Sequence, residues 1–165
     1  EKTAETFVNG WVHTGDKGSF DKNEYLHITG RVQDTFKTAK GKYVAPVPIE
    51  NTFSGSVFVE QQCLYGFALT QPVILFTPSE TAPKDKQALE KAISAFTVGM
   101  NLKLEPHERI GGIIICQTPW TPENGILTHT LKVQRTRVEE RYKAVIDEVA
   151  QAIVGAERVI QIRWA

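Results

Sequence analysis

The sequence predicts an α+β fold, a small mixed sheet with helices packed on it. Three observations point there. Short apolar runs bounded by Gly, Pro, Asn and Asp read as strands. Two longer segments carry apolar residues at helical spacing. Of 165 residues, 41% are hydrophobic and 23% charged, ordinary proportions for one globular domain.

The elements follow in order. Trp11 to His13 and Tyr25 to Ile28 are short strand candidates flanked by turn residues. A Lys-rich loop leads to Lys42-Tyr43-Val44, and Pro46 and Pro48 then suit a helix start near Ile49, ended by Gly55. Cys63 to Leu69 and Val73 to Thr77 read as strands joined by Thr70-Gln71-Pro72. Pro83 opens a helix whose Leu89, Ile93, Phe96 and Met100 share one face, and Pro106 stops it. Ile110 to Cys116 is a buried strand whose Gly111-Gly112 pair implies a bulge or close backbone approach. Thr136 and Glu139 form a capping-box pattern ahead of a stripe of Val138, Tyr142, Val145 and Val149.

Charge and cysteine content exclude several classes. Nineteen basic residues balance nineteen acidic ones, so no net field draws the chain to nucleic acid or a membrane surface. Cys63 and Cys116 are too few for a disulfide framework and sit in apolar runs, as buried reduced thiols do. No apolar run approaches the ~18 residues of a membrane span. The only methionine is Met100 and the chain opens EKTAETFVNG, which we read as part of a longer polypeptide.

Three clusters carry candidate chemistry. In His13-Thr14-Gly15-Asp16 a carboxylate follows a Gly turn. Such an aspartate usually bonds its own backbone, though a carboxylate also accepts from the vicinal hydroxyls of a ribose. In ITGRVQDTFKTAKG, Arg31 ends a strand and can present a planar donor fork to phosphate or ribose oxygens. The lysines after it read as a solvated loop, with Gly41 giving backbone freedom where a ligand passes close. In Asn124 to Val133, an Asn-Gly hairpin turn and an extended Thr-x-Thr lead to Lys132, on a loop or short strand ahead of the last helix. A lone lysine is more often plain surface. His129 has no Cys or second His nearby, which argues against a metal site. The basic run from Lys132 to Lys143 reads as an exposed helix face with Arg135–Glu139 and Glu139–Lys143 pairs.

Together these segments resemble the acyl-adenylate-forming superfamily, and most closely its long-chain acyl-CoA synthetase branch. That branch typically reads GWxHTGD, GRxKDxxKxxxGKYVAPxxIE and NGxLTPTLKxxR; here the segments stand as GWVHTGDKGSF, GRVQDTFKTAKGKYVAPVPIE and NGILTHTLKVQR. The resemblance covers nearly the whole chain. It implies that residues 1–31 are the tail of a large N-terminal adenylation domain and 32–165 a mobile C-terminal cap, with a hinge near Gln33. The parent is then an AMP-forming fatty acid–CoA ligase using ATP, Mg2+ and CoA, and this piece alone is inactive.

The resemblance also implies residue roles. Asp16 holds the ribose hydroxyls of ATP, Arg31 contacts the nucleotide, and Lys132 is the catalytic lysine of adenylation. Gln33 is the pivot, and Lys40, Gly41 and Lys42 line the route of the CoA thiol. Three positions depart from the pattern: Gln33 stands for Lys or Asp, Lys40 for Gly, and His129 for Pro. None removes a charge that the mechanism needs. The expected partners are fatty acid, ATP, CoA and the N-terminal domain of the same chain, with no nucleic acid. The expected location is cytoplasmic, with membrane association of the parent left open. The alternative is a non-catalytic α+β module that binds a nucleotide or a protein.

Overall fold

Alternation along the central strands decides the architecture. A computed structural model describes residues 6–155 and 159–165, so the first five residues of the predicted N-terminal segment lie outside it. Small paired strands come first: β1 (Phe7–Val8) with β2 (Trp11–Val12), β3 (Asp16–Phe20) with β4 (Leu26–Arg31), and, after a 3-10 turn at Val32–Asp34, β5 (Phe36–Lys37) with β6 (Tyr43–Val44). Then come α1 (Pro46–Phe53), β7 (Val59–Tyr65), β8 (Val73–Pro78), α2 (Lys86–Asn101), β9 (Gly112–Ile115), α3 (Arg135–Gly155) and β10 (Gln161–Trp164).

The central sheet is four-stranded in the order β10-β9-β8-β7. β7 pairs antiparallel with β8, and β8–β9 and β9–β10 are parallel, so the sheet is mixed as predicted. Side chains on a strand alternate between faces. Leu64, Ile74, Phe76, Ile113 and Ile115 form one core with α1 and α2, through Ile49, Phe53, Leu89, Ile93 and Met100. Cys63, Val73, Leu75, Ile114 and Cys116 form the other with α3, through Val138, Tyr142, Ile146 and Val149. Burial pushes both thiols up to about 12, so they stay protonated and inert.

The close approach expected at Gly111-Gly112 is present. A Cβ on Gly112 would overlap Val149 of α3 and press on Val73 and Ile153, so the absent side chain lets the helix lie on the sheet. Gly112→Ala is therefore expected to cost about 1–3 kcal/mol by overpacking. The readout is a lower urea midpoint at unchanged slope; an unchanged midpoint would show that α3 shifts freely.

Several expected boundaries move. α1 begins at Pro46, not near Ile49, because proline suits the first helical position. The first central strand ends at Tyr65 rather than running on to Leu69. Gly66 lies under the Phe36 ring, and Ala68 and Leu69 turn away to bond Lys37 and Ala39. α2 starts after Asp85, whose carboxylate accepts from Ala88 N at 2.7 Å, and it ends before Pro106 is reached. Asn101, its last residue, bonds both backbone groups of Ile110 at 2.9 Å. Thr136 lies inside α3, so no capping box forms, and β10 is a strand beyond those expected from the sequence.

Candidate functional site

The β3–β4 hairpin puts Asp16 directly opposite Arg31. Arg31 Nε donates to Asp16 Oδ1 at 3.3 Å, and Thr14 Oγ1 accepts from Asp16 N at 3.1 Å. Both charged side chains remain partly open to solvent. Arg31 then lines a cleft of about 510 Å³ with His13, Thr14, Gly15 and Gln33. His13 to Gly15 and Arg31 to Gln33 thus reach one place because a hairpin closes on itself and a 3-10 turn follows at once. Chemically this is a carboxylate and a guanidinium fork on a polar rim, suited to ribose hydroxyls and phosphate oxygens.

Lys40, Gly41 and Lys42 occupy the tight turn between β5 and β6. Thr38 N donates to Lys42 O (2.8 Å), Gly41 N to Thr38 O (2.9 Å), and Lys42 N to the Thr38 hydroxyl (3.2 Å). Gly41 adopts φ +76°, a left-handed turn that a side chain would strain. Lys37 is held by the Tyr43 ring, its Nζ 5.7 Å from the centroid, while Lys40 and Lys42 point two charges at a second cleft of about 550 Å³. Gln71 and His107 line the same cleft.

Lys132 stands on a loop built as a unit. Leu127 and Val133 form a bridge across its base. Gln134 Nε2 donates to Gly125 O and Leu127 O, both at 3.0 Å. Thr128 is the brace: its N donates to Lys132 O (2.8 Å), its hydroxyl accepts from Lys132 N (3.1 Å), and its carbonyl accepts from Leu131 N (2.9 Å). The stretch is not extended as expected. The hydroxyls of Thr128 and Thr130 meet at 3.0 Å across a turn, and Leu131 takes φ +60°. A left-handed leucine is costly unless its surroundings hold it, and such residues cluster at functional sites. The Lys132 side chain is exposed and has no ion-pair or hydrogen-bond partner among the described residues. The structure therefore joins Asp16 to Arg31 and leaves Lys132 out of that contact. Among the described residues no three His, Cys, Asp or Glu side chains converge to hold a metal ion.

Arg135, Glu50 and Asp34 form a network that was missed. Arg135 was expected to pair with Glu139 along its helix. Instead its Nη1 and Nη2 donate to Glu50 Oε1 and Oε2, both at 2.6 Å, and its Nε stands 3.7 Å from Asp34 Oδ2. Glu50 Oε1 also accepts from Leu64 N at 2.6 Å. Burial alone would make Arg135 give up its proton more readily, but the Glu50 bonds and charge override it and hold the guanidinium more firmly charged. Glu139 instead accepts from Tyr65 OH at 2.8 Å, and Lys143 pairs with Asp147 at 2.6 Å. The sequence signal available was small: a Glu following a buried Ile on a short helix, and an Arg three residues after Lys132.

Comparison with known proteins places this geometry. The sequence model of the family described as AMP-binding enzyme C-terminal domain matches residues 33–153. Fatty acyl-CoA synthetase A of Dictyostelium discoideum is 31% identical over 170 residues, covering 89% of this chain and 26% of that protein. Long-chain-fatty-acid–CoA ligase 1 of Homo sapiens is 30% identical over 172 residues, covering 92% and 25%. Among solved structures, the A domain of carboxylic acid reductase from Segniliparus rugosus, in complex with AMP and a co-purified carboxylic acid, superposes with a TM-score of 0.80. It is 26% identical and covers 93% of this chain and 25% of that one. The chain thus spans about a quarter of the length of the curated relatives it matches. Its sheet, helices and matched residues agree: the chain belongs to the AMP-binding enzyme C-terminal domain family.

Proposed function

We propose that this chain is the C-terminal part of an ATP-dependent acyl-CoA synthetase that activates a fatty acid as acyl-AMP and transfers it to CoA. The observation that carries the reading is Lys132, a cation without a partner among the described residues, held on a braced loop. Arg31, which lines the first cleft, and Asp16, paired with it, supply the nucleotide contacts. Residues 1–31 belong to the large domain and 32–165 to the cap, in keeping with a family match that begins at Gln33. Support comes also from β1–β4, where Phe7, Trp11, Phe20, Leu26 and Ile28 are exposed, Trp11 by 75%. A patch of that kind marks a packing surface, here for the rest of the large domain.

In the first half-reaction the fatty carboxylate attacks the α-phosphorus of ATP, and the bond to pyrophosphate breaks. Two anions must approach, and Lys132 offsets that repulsion as charge develops. Asp16 fixes the ribose and Arg31 the nucleotide. Magnesium enters as part of the MgATP substrate; the described residues offer no ligand set of their own for it. In the second half-reaction the cap turns about Gln33, a hinge motion. Lys132 withdraws and the turn bearing Gly41 faces the acyl adenylate. The CoA sulfur attacks the acyl carbonyl, AMP leaves, and the thiol proton passes to solvent.

Supplying fatty acid, MgATP and CoA to the full-length protein should yield acyl-CoA, AMP and pyrophosphate. No turnover with any carboxylate would instead favour a non-catalytic nucleotide- or protein-binding module. The chain alone is expected to be inactive. Among the described residues no helix is long and apolar enough to cross a membrane.

The second cleft adds a prediction. Lys40 and Lys42 face it together with His107 and suit the phosphates of CoA. Lys42→Ala in the full-length protein is expected to raise the apparent KM for CoA about tenfold, the equivalent of one charge-assisted hydrogen bond of about 1.5 kcal/mol. Pyrophosphate release without CoA should not change. An unaltered KM for both Lys40→Ala and Lys42→Ala would remove these lysines from the CoA site.

A further inference from the structure

Arg135 joins three parts of the cap that the proposed chemistry needs in register. It is the first residue of α3 and follows Lys132 by three positions. Between them, Gln134 bonds Ile126 O through its backbone N–H and Gly125 O and Leu127 O through its amide, so the lysine loop and the helix start move as one piece. On its other side Arg135 grips α1 through Glu50 and reaches β7 through Leu64 O at 3.4 Å. Its Nε faces Asp34, the last residue of the 3-10 turn and the neighbour of Gln33.

We propose that Arg135 is a positioning residue that sets the placement of Lys132 relative to the hinge, acting through its ion pair with Asp34. This rests on the functional reading above. Asp34 is the first residue on the cap side of the pivot, so it travels with the cap. A fork fixed by Glu50 has its Nε direction preset, and rotation at Gln33 is therefore passed to the lysine loop rather than lost in a loose linker. At 3.7 Å the Asp34 contact is an ion pair just beyond direct hydrogen-bond range. Asp34 and Arg135 side chains are 25% and 29% exposed, partly in solvent, whereas Glu50 at 11% is the buried anchor. The Asp34 arm can thus be removed without dismantling the core.

The test uses Asp34→Asn in the full-length protein, with wild type and Arg135→Lys alongside. Two activities are read: fatty-acid-dependent ATP–pyrophosphate exchange, and thioester formation from supplied acyl adenylate and CoA. Asp34→Asn is expected to lower kcat of the exchange about tenfold, within the range that small misplacements of a catalytic group cost. KM for the fatty acid and the thioester half-reaction should be unaffected. Arg135→Lys keeps the charge but loses the fork, and should show the same split. Equal losses in both half-reactions would reveal a merely structural role and overturn the proposal, as would no change in either. If wild type lacks exchange altogether, the functional reading fails first and this proposal with it; an active wild type with an unaffected Asp34→Asn overturns only the positioning role.

Discussion

Replacing Lys132 by alanine in the full-length protein is expected to cut fatty-acid-dependent pyrophosphate release by at least ~10²-fold, the usual scale for losing one preorganised charge at a reacting centre. Thioester formation from supplied acyl adenylate should continue at the wild-type rate. The reason is geometric. Lys132 is exposed and unpaired among the described residues, so none of their contacts depends on its charge. Its loop is held by Thr128, Gln134 and the Leu127–Val133 bridge, none of which uses the lysine side chain. Loss of the first activity alone would therefore be chemical rather than structural. Equal loss of both would mean that the lysine serves the cap's fold or both poses.

The second large effect concerns stability. Glu50→Ala removes the carboxylate that accepts from Leu64 N and from both Nη atoms of Arg135. A buried pair broken on one side typically costs about 3–5 kcal/mol, because the remaining charge is stranded. With Arg135 at 29% exposure, some of that charge reaches water, and about 3 kcal/mol is expected. Urea unfolding of the chain followed by far-ultraviolet circular dichroism measures it. Adding Arg135→Met to Glu50→Ala should recover part of the loss, since no charge is then left buried. A single variant as stable as wild type would show that the pair contributes little and that solvent replaces it.

The parts of the fold that were legible in the sequence share a cause: their signals are local. Leu89, Ile93 and Met100 repeat at helical spacing and are all buried, as are Val138, Tyr142 and Val149. Gly112 announces a close approach because only a missing side chain fits there. The misreadings arise where distant partners decide. Thr136 and Glu139 satisfy the capping-box pattern, yet Val138 N already donates to Gln134 O and the helix starts at Arg135, whose side chain pairs with Glu50, 85 residues away, while Tyr65 takes Glu139. β10 is four half-buried residues at the sheet edge, recognisable only beside β9. The candidate site divides in the same way. Asp16 and Arg31 sit in one hairpin and lie close in sequence, and Lys132 stands in a segment whose residues carry the family pattern. Arg135 had a nearer glutamate that fitted a familiar helical rule, and tertiary geometry chose another.

ATP–pyrophosphate exchange by the full-length protein, in the presence of a fatty acid and without CoA, tests the proposed adenylation most directly. Exchange that depends on the fatty acid and falls by two or more orders of magnitude in Lys132→Ala is the expected result. No exchange with any carboxylate, or exchange indifferent to Lys132, would contradict it.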